Sequence, residues 1–308
     1  MKPKREEIWY YNNGRYERER ICAEKWMRLV YESPLGGATL PFVVKRKLFS
    51  RLYGMYCQTK FSAKKIPQFI KDNQVDMTGC TGNYKNFAEF FAREKNNISF
   101  PDKPEILGSP CEGLISAYTD IVPEKLIAAK GSYFSLAELF GDDALAKDYH
   151  NGTMIKIRLT PANYHRMHFF DSGKIAGTSF IDGDLYSVSP LALSRIVRLY
   201  CRNKRALILF SSQNFGNVVI VEVGATFVGS IIHCFDKDDK DDKDDENDKN
   251  NENGENEYVH RGQLASYFMP GGSLVLLFFK RGAFMPKDEL IIQTNKGYET
   301  KIHVGDAL

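Results

Sequence analysis

The sequence predicts an α+β fold, with a helical N-terminal region set on a β-rich core. Three observations predict it. Residues 1–75 are basic and aromatic and carry apolar residues at helical spacing. From about residue 106 the texture changes to short apolar alternations bounded by Gly and Pro. At 43% hydrophobic and 13% aromatic, the 308-residue chain can bury a sizeable core and is not a disordered polymer. The boundary is expected near residue 100, with a basic helical region over 1–100 and the β-rich core over 101–308.

The elements follow in order. Phe42 to Tyr56 reads as a helix, because Val44, Leu48, Leu52 and Met55 or Tyr56 recur at spacings of three and four while Arg46, Lys47 and Arg51 fall largely away from them. A second basic stretch, Lys60 to Lys65, leads into a helical pattern that opens at Ile66-Pro67. Such a segment can lie on an anionic bilayer with its apolar face sunk in, or pack on the domain with a solvated basic face. The pattern leaves both open. Nucleic-acid binding has no helix-turn-helix or RNP-like signature behind it and is not expected. Residues 84–99 read as a helix carrying Phe87, Phe90 and Phe91 on one side, closed by the turn Pro101 to Pro104. Strands are expected at 113–118, 125–131, 154–159, 218–223, 227–233 and 273–279. Ser135 to Glu138 is a capping box opening a short helix. Ser189-Pro190 starts another through about Tyr200.

The formal net charge of +3 conceals a split. Residues 1–75 hold sixteen Lys and Arg against seven acids, whereas Asp236 to Glu257 holds twelve acids against four Lys. That low-complexity insert cannot bury a core and is expected to be a disordered surface loop. It lacks the glycine and terminal glutamate of an EF-hand loop, so no calcium site is expected there. The six cysteines are scattered with no CxxC pair, which argues against a zinc ribbon or a disulfide framework. No run of 18 apolar residues occurs, and the charged start has no apolar run behind it, so neither a spanning helix nor a secretory signal is expected.

Three short stretches carry chemistry. Tyr164-His165-Arg166-Met167-His168 sets two histidines three apart behind a strand and the turn Pro161-Ala162-Asn163; one ring can serve as base and the other as donor. An HxxH pair without a third ligand or a Glu in the HExxH position makes a metal site unexpected. Ser109-Pro110-Cys111-Glu112-Gly113 puts a carboxylate at the tip of a turn, where it can orient a histidine or simply be solvated. Met269-Pro270-Gly271-Gly272-Ser273 is a turn opening the last strand. Its glycines permit backbone conformations that bring a side-chain hydroxyl onto the preceding carbonyl, although a plain Gly-Gly turn reads the same way.

The ordered combination resembles the phosphatidylserine decarboxylase family: a carboxylate-Gly turn, a Tyr-His-Arg-x-His motif and a late Gly-Ser. Lys130-Gly131-Ser132 with Ser135-Leu136, Gly183 to Val188, Asn203-Lys204-Arg205 and Val223 to Ser230 extend the likeness over about 105–280. Ser33-Pro34 and Tyr53 to Cys57 are similar to clostridial-type members. The resemblance implies a self-processing zymogen whose cofactor is a pyruvoyl group. His168, oriented by Glu112, would take the proton of Ser273 Oγ; the alkoxide would attack the Gly272 carbonyl and split the chain into a β chain, 1–272, and an α chain, 273–308. These would remain an α/β heterodimer. The pyruvoyl group left on Ser273 would form a Schiff base with phosphatidylserine and act as electron sink for loss of carbon dioxide, giving phosphatidylethanolamine. His165 would serve that second half as proton donor. The resemblance further implies an anionic membrane surface as partner and a peripheral place on the cytoplasmic side of the cell membrane. Two departures stand out. Glu112 occupies a position where the family usually has Asp, which adds one methylene and opens the alternative of a non-cleaving lipid-binding homologue. Leu274 stands where Thr is usual after the serine.

Overall fold

The computed structural model describes residues 7–32, 47–80, 82–129, 132–225, 231–235, 257–271 and 273–308. Except for Glu257, the acidic insert lies outside these residues, as do Val44, Arg46, Thr226 to Ser230 and Gly272.

Strands come in four groups along the chain. The first comprises β1 (Trp9–Asn12), β2 (Arg15–Arg18) and β3 (Gly113–Tyr118). Then follow β4 (Leu126–Ala129), β5 (Ser132–Phe134), β6 (Thr153–Leu159), β7 (Arg166–His168) and β8 (Gly173–Ile181). Next are β9 (Arg205–Ser212), β10 (Gly216–Val223), β11 (Ile231–His233) and β12 (Tyr258–Val259). The last are β13 (Leu264–Phe268), β14 (Ser273–Phe279) and β15 (Glu299–Ile302). Ten of them form one sheet in the order β12-β8-β9-β10-β14-β6-β3-β15-β1-β2, antiparallel but for the parallel pair β1–β15. A smaller sheet, β11-β13-β7, packs on one face of it.

Burial explains why β14 reads as an unbroken apolar run. Alternate side chains of a strand point to opposite faces, and here both faces are covered. Val275, Leu277 and Phe279 share a core with Ile155, Ile157, Met167, Ala265 and Phe268, between the two sheets. Leu274, Leu276 and Phe278 pack on the other side against Leu136, Leu139, Phe140, Ala192 and Leu193. By the same alternation Ser273 points into the space between the sheets. Gly113 allows β3 to approach β6, since a Cβ there would meet the Arg158 carbonyl oxygen at 2.6 Å.

The helical front is α1 (Glu24–Glu32), α2 (Lys47–Gln58), a 3-10 turn over Lys60–Lys65, α3 (Ile66–Asn73) and α4 (Phe87–Phe91). It is not wholly helical, because β1 and β2 add to the far edge of the large sheet. The expected helix over 84–99 contracts to α4. Asn86 caps it by accepting from the Glu89 amide at 2.9 Å, and at Arg93 the side chain turns away to the carbonyls of Ala162 and Asn163. Phe87, Phe90, Cys57, Ile66 and Val75 form a third core, with Ala162 and Met269 resting against it. The helix expected from Ser189 is two short ones, Pro190–Leu193 and Leu199–Arg202, separated at Arg198, which takes a left-handed conformation. The Ser135 capping box forms, with its hydroxyl accepting from the Glu138 amide at 3.2 Å.

A buried ion network ties the front to the core. Arg158 on β6 donates through Nη1 and Nη2 to the two oxygens of Glu19, each at 2.8 Å, and also meets Glu299 of β15.

Candidate active site

The site forms where β7, the start of β14 and the turn before β3 converge between the sheets. Its centre is Ser273, which is fully buried. Gly271, two residues ahead, has φ of +151°, a backbone setting that L side chains rarely adopt.

His165 Nδ1 lies 3.2 Å from Ser273 Oγ, and its Nε2 lies 3.0 Å from the Thr160 carbonyl oxygen. A carbonyl only accepts, so Nε2 carries the proton; in a neutral ring Nδ1 then accepts from the serine hydroxyl. The ring is kept neutral. Burial, helped by the nearby Arg93 charge, pushes the His165 pKa down to about 3. Phe91 stacks on the imidazole at 3.9 Å between centroids and closes it off.

His168 is held differently. Its Nδ1–H donates to the Gly262 carbonyl at 2.9 Å, and Nε2 accepts from the Tyr164 hydroxyl at 3.0 Å. Burial lowers its pKa as well. Among the described residues no hydrogen bond joins His168 to Ser273 or to Glu112.

Glu112 is buried, and burial alone would raise its pKa. The charge and hydrogen bonding of its neighbours outweigh that and hold the carboxyl below the usual range. Lys95 Nζ donates to Oε2 at 2.8 Å and Asn163 Nδ2 donates to Oε1 at 3.0 Å. His303 Nδ1 stands 3.9 Å away, an ion-pair distance too long for a hydrogen bond. The carboxylate raises the His303 pKa in turn.

The expected relay from Glu112 through His168 to Ser273 is therefore not the one the hydrogen bonds trace. They run from Glu112 to the Asn163 side chain, whose Oδ1 accepts from Thr160 N and Thr160 Oγ1, both at 2.8 Å. They continue from the Thr160 carbonyl to His165 and on to Ser273. The reason is the short strand β7. It pairs with β13 and hands His168 to Gly262, while the 161–163 turn swings His165 under the start of β14. Thus the structure brings Ser273 and His165 together, links Glu112 to them through Asn163 and Thr160, and sets His168 beside them on Tyr164. Lys95, Thr160 and Asn163 escaped the sequence reading. Asn163 alone offered a signal, as the turn residue just before the histidine motif.

What this arrangement can do is nucleophile activation: a buried hydroxyl faces the free lone pair of a neutral imidazole. Among the described residues no cluster of three or more His, Cys, Asp or Glu could hold a metal ion, and no helix is long and apolar enough to cross a membrane.

Comparison with known proteins adds the chemistry. The sequence model of the phosphatidylserine decarboxylase family matches residues 86–308. A phosphatidylserine decarboxylase proenzyme of Clostridium botulinum (strain Kyoto / Type A2) is 40% identical over 98% of both chains. Similar proenzymes of Ruminiclostridium cellulolyticum and Clostridium novyi are each 38% identical, over 98% and 95% of this chain and 96% and 95% of their own.

Proposed function

Because the chain belongs to the phosphatidylserine decarboxylase family, we propose that it is a self-processing carboxy-lyase that converts phosphatidylserine to phosphatidylethanolamine and carbon dioxide. The observation that carries the reading is the contact of the buried Ser273 hydroxyl with the unprotonated nitrogen of His165.

In processing, His165 accepts the Ser273 proton, and Oγ attacks the carbonyl carbon of Gly272. The peptide C–N bond breaks as the C–O bond forms, an N-to-O acyl shift. Loss of the Ser273 α-proton then expels the Gly272 carboxylate, and water replaces the nitrogen as ammonia. The new chain begins with a pyruvoyl group at position 273. Residues there would suit it: position 273 is fully buried, and the His165 ring beside its side chain is kept neutral by burial. The group supplies an electrophilic carbonyl that draws off the electrons released when the carboxylate leaves. Glu112 steadies the Asn163–Thr160 turn and keeps a negative charge near His165 as its ring takes up a proton. His168 and Tyr164 form a second proton-carrying pair at the same site, available for the decarboxylation half.

Membrane docking is the second part of the proposal. Trp26, Leu29, Leu52, Met55 and Phe61 are all exposed, Phe61 at 74%, and Lys60, Lys64 and Lys65 lie beside Phe61 in sequence. Exposed apolar side chains in a basic region suit the surface of an anionic bilayer, with residues 1–100 as the associating region.

A denaturing gel tests the reading. Wild-type protein should run as two chains cut between residues 272 and 273, and Ser273→Ala as one chain of 35.1 kDa. Vesicles containing phosphatidylserine should release carbon dioxide only with the cut protein. An intact wild-type chain would return the non-cleaving lipid-binding alternative. Replacing each histidine by Gln separates their roles: His165→Gln should stay uncut, and a block in His168→Gln alone would give His168 the base role that the resemblance implies.

A further inference from the structure

Beside the site, between α4 and β7, lies a cavity of about 490 Å³ lined by Tyr84, Arg93, Arg166, Tyr267 and Met269, with Gln58 at the end of α2. Arg93 is its unusual member. The residue is only 1% exposed, yet its side chain has no carboxylate within ion-pair distance among the described residues. Both Nη2 hydrogens are used, on the carbonyls of Ala162 and Asn163 at 3.0 and 2.9 Å. The Nε and Nη1 donors are buried and have no partner, and neither has the Tyr84 hydroxyl. A guanidinium brings five donors and no acceptor, so three of its five are left over. Such groups are ordinarily satisfied in a folded protein, and each exception asks for an explanation.

The other charges of the cavity do not supply one. Arg166 donates through Nε to the Ala92 carbonyl and pairs with Glu94 at 3.0 Å. Glu89 is exposed and accepts from the Lys85 amide at 2.8 Å. Among the described residues the cavity is thus lined by a buried cation without an ion pair, Arg93, and by the half-buried Tyr84, whose hydroxyl hydrogen is unused, while the carboxylates of Glu94, on Arg166, and Glu89, on the exposed side, also line it. The arginine and the phenol fit a tetrahedral oxyanion, which can accept several hydrogen bonds at once. Position favours the same ligand. Phe91, two residues before Arg93, stacks on His165, and Met269 precedes Ser273 by four residues, so the cavity adjoins the reacting centre. On its other side Gln58 leads to the exposed Phe61 and the lysines of the 3-10 turn.

We propose that this cavity receives the phosphodiester of the phospholipid headgroup, with Arg93 and Tyr84 as its donors. The inference rests on the decarboxylase reading above. The headgroup carries two anions, and the chemistry assigns them differently. Electrons must leave the serine carboxylate as carbon dioxide departs, and an arginine paired to it would stabilise the ground state and oppose the step. The phosphodiester keeps its charge throughout, so a buried cation there binds substrate and transition state alike.

Binding is measured by calorimetry with glycerophosphoserine, the soluble headgroup diester, and with inorganic phosphate, on the uncut Ser273→Ala chain. Turnover is measured on phosphatidylserine vesicles with the processed protein. Arg93→Gln should weaken glycerophosphoserine binding and raise KM by about ten- to 100-fold while kcat changes far less, the range expected for losing a charge-assisted pair. Tyr84→Phe, which removes one oxygen and disturbs no backbone contact, should raise KM several-fold, and it decides the matter if Arg93→Gln fails to fold. Self-cleavage should persist in Tyr84→Phe, since processing needs no headgroup. Unchanged KM and headgroup binding in both variants would overturn the proposal, as would binding of inorganic phosphate without glycerophosphoserine. Failure of wild-type turnover with headgroup binding intact would sink the decarboxylase reading and leave the phosphodiester site standing.

Discussion

The sealed His165 makes a quantitative prediction about acid stability. The perturbation is His165→Gln, made in a Ser273→Ala background so that both proteins stay single chains. A histidine with folded pKa near 3, against about 6.5 unfolded, binds fewer protons in the fold. Its stabilising contribution is full above pH 6.5 and is lost as pH falls toward 3. Between pH 6.5 and 4.5 the integrated loss from this one group is about 2 kcal/mol, at 1.36 kcal/mol per unit of separation. The window is clear of Glu112, whose lowered pKa delays its own loss to below its ordinary 4.5. His168, lowered like His165, and His303, raised and therefore active above pH 6.5, are present in both proteins and cancel. The assay is urea denaturation of both proteins at the two pH values. The His165 protein should lose about 0.7 M more in midpoint on acidification than the Gln protein, for an m-value near 3 kcal/mol/M. Any fixed packing cost of the Gln ring replacement drops out of the comparison. Equal losses would mean that His165 takes up its proton in the folded chain at pH 4.5, and the account of a water-excluding pocket around Ser273 would fall.

Three further outcomes are expected. Arg158→Met should lower stability by about 3–5 kcal/mol in a thermal melt, because it leaves Glu19 buried without its cation, while Glu299 keeps only Lys156; a drop under 1 kcal/mol would refute the network's role. Glu112→Asp shortens the carboxylate by one methylene and cannot hold both Lys95 and Asn163, so cleavage followed on gels should slow by up to about 100-fold; faster cleavage would show that the longer side chain is no adaptation to these partners. Deleting residues 238–256 should leave cleavage intact, and its loss would assign the acidic insert a structural task.

Much of the core was legible because burial writes itself into sequence. β6, β10 and β14 fall within a residue or two of the expected 154–159, 218–223 and 273–279, β10 and β14 as largely apolar runs covered on both faces and β6 as apolar residues alternating with the buried Lys156 and Arg158. The hairpin β1–β2 was not legible, since its partner in the sheet is β15, nearly the whole chain away; local pattern carries no information about such pairing. The helix over 84–99 was overestimated because one turn suffices to place Phe87, Phe90 and Phe91, and the residues after it answer to contacts with 162–163. At the site, Glu112, His165, His168 and Ser273 could be named from their motifs. Which histidine meets the serine could not, because that depends on the β7–β13 pairing and on Phe91. Arg93 follows an apolar turn and looks like an ordinary helix-end charge until its burial is known.

The position of β14 has a consequence for how the molecule is made. The proposed cut falls at its first residue, and β14 is hydrogen-bonded along its length to β10 on one side and β6 on the other. The same small chain threads β15 between β3 and β1. Two pieces so interwoven share one sheet and cannot exchange partners without unzipping four strand pairs. The severed molecule is thus a lineage rather than an assembly: each working copy descends from a single uncut parent, and halves synthesised apart should not find one another. Mixing separately expressed 1–272 and 273–308 should give no activity, even at concentrations where the processed protein never dissociates.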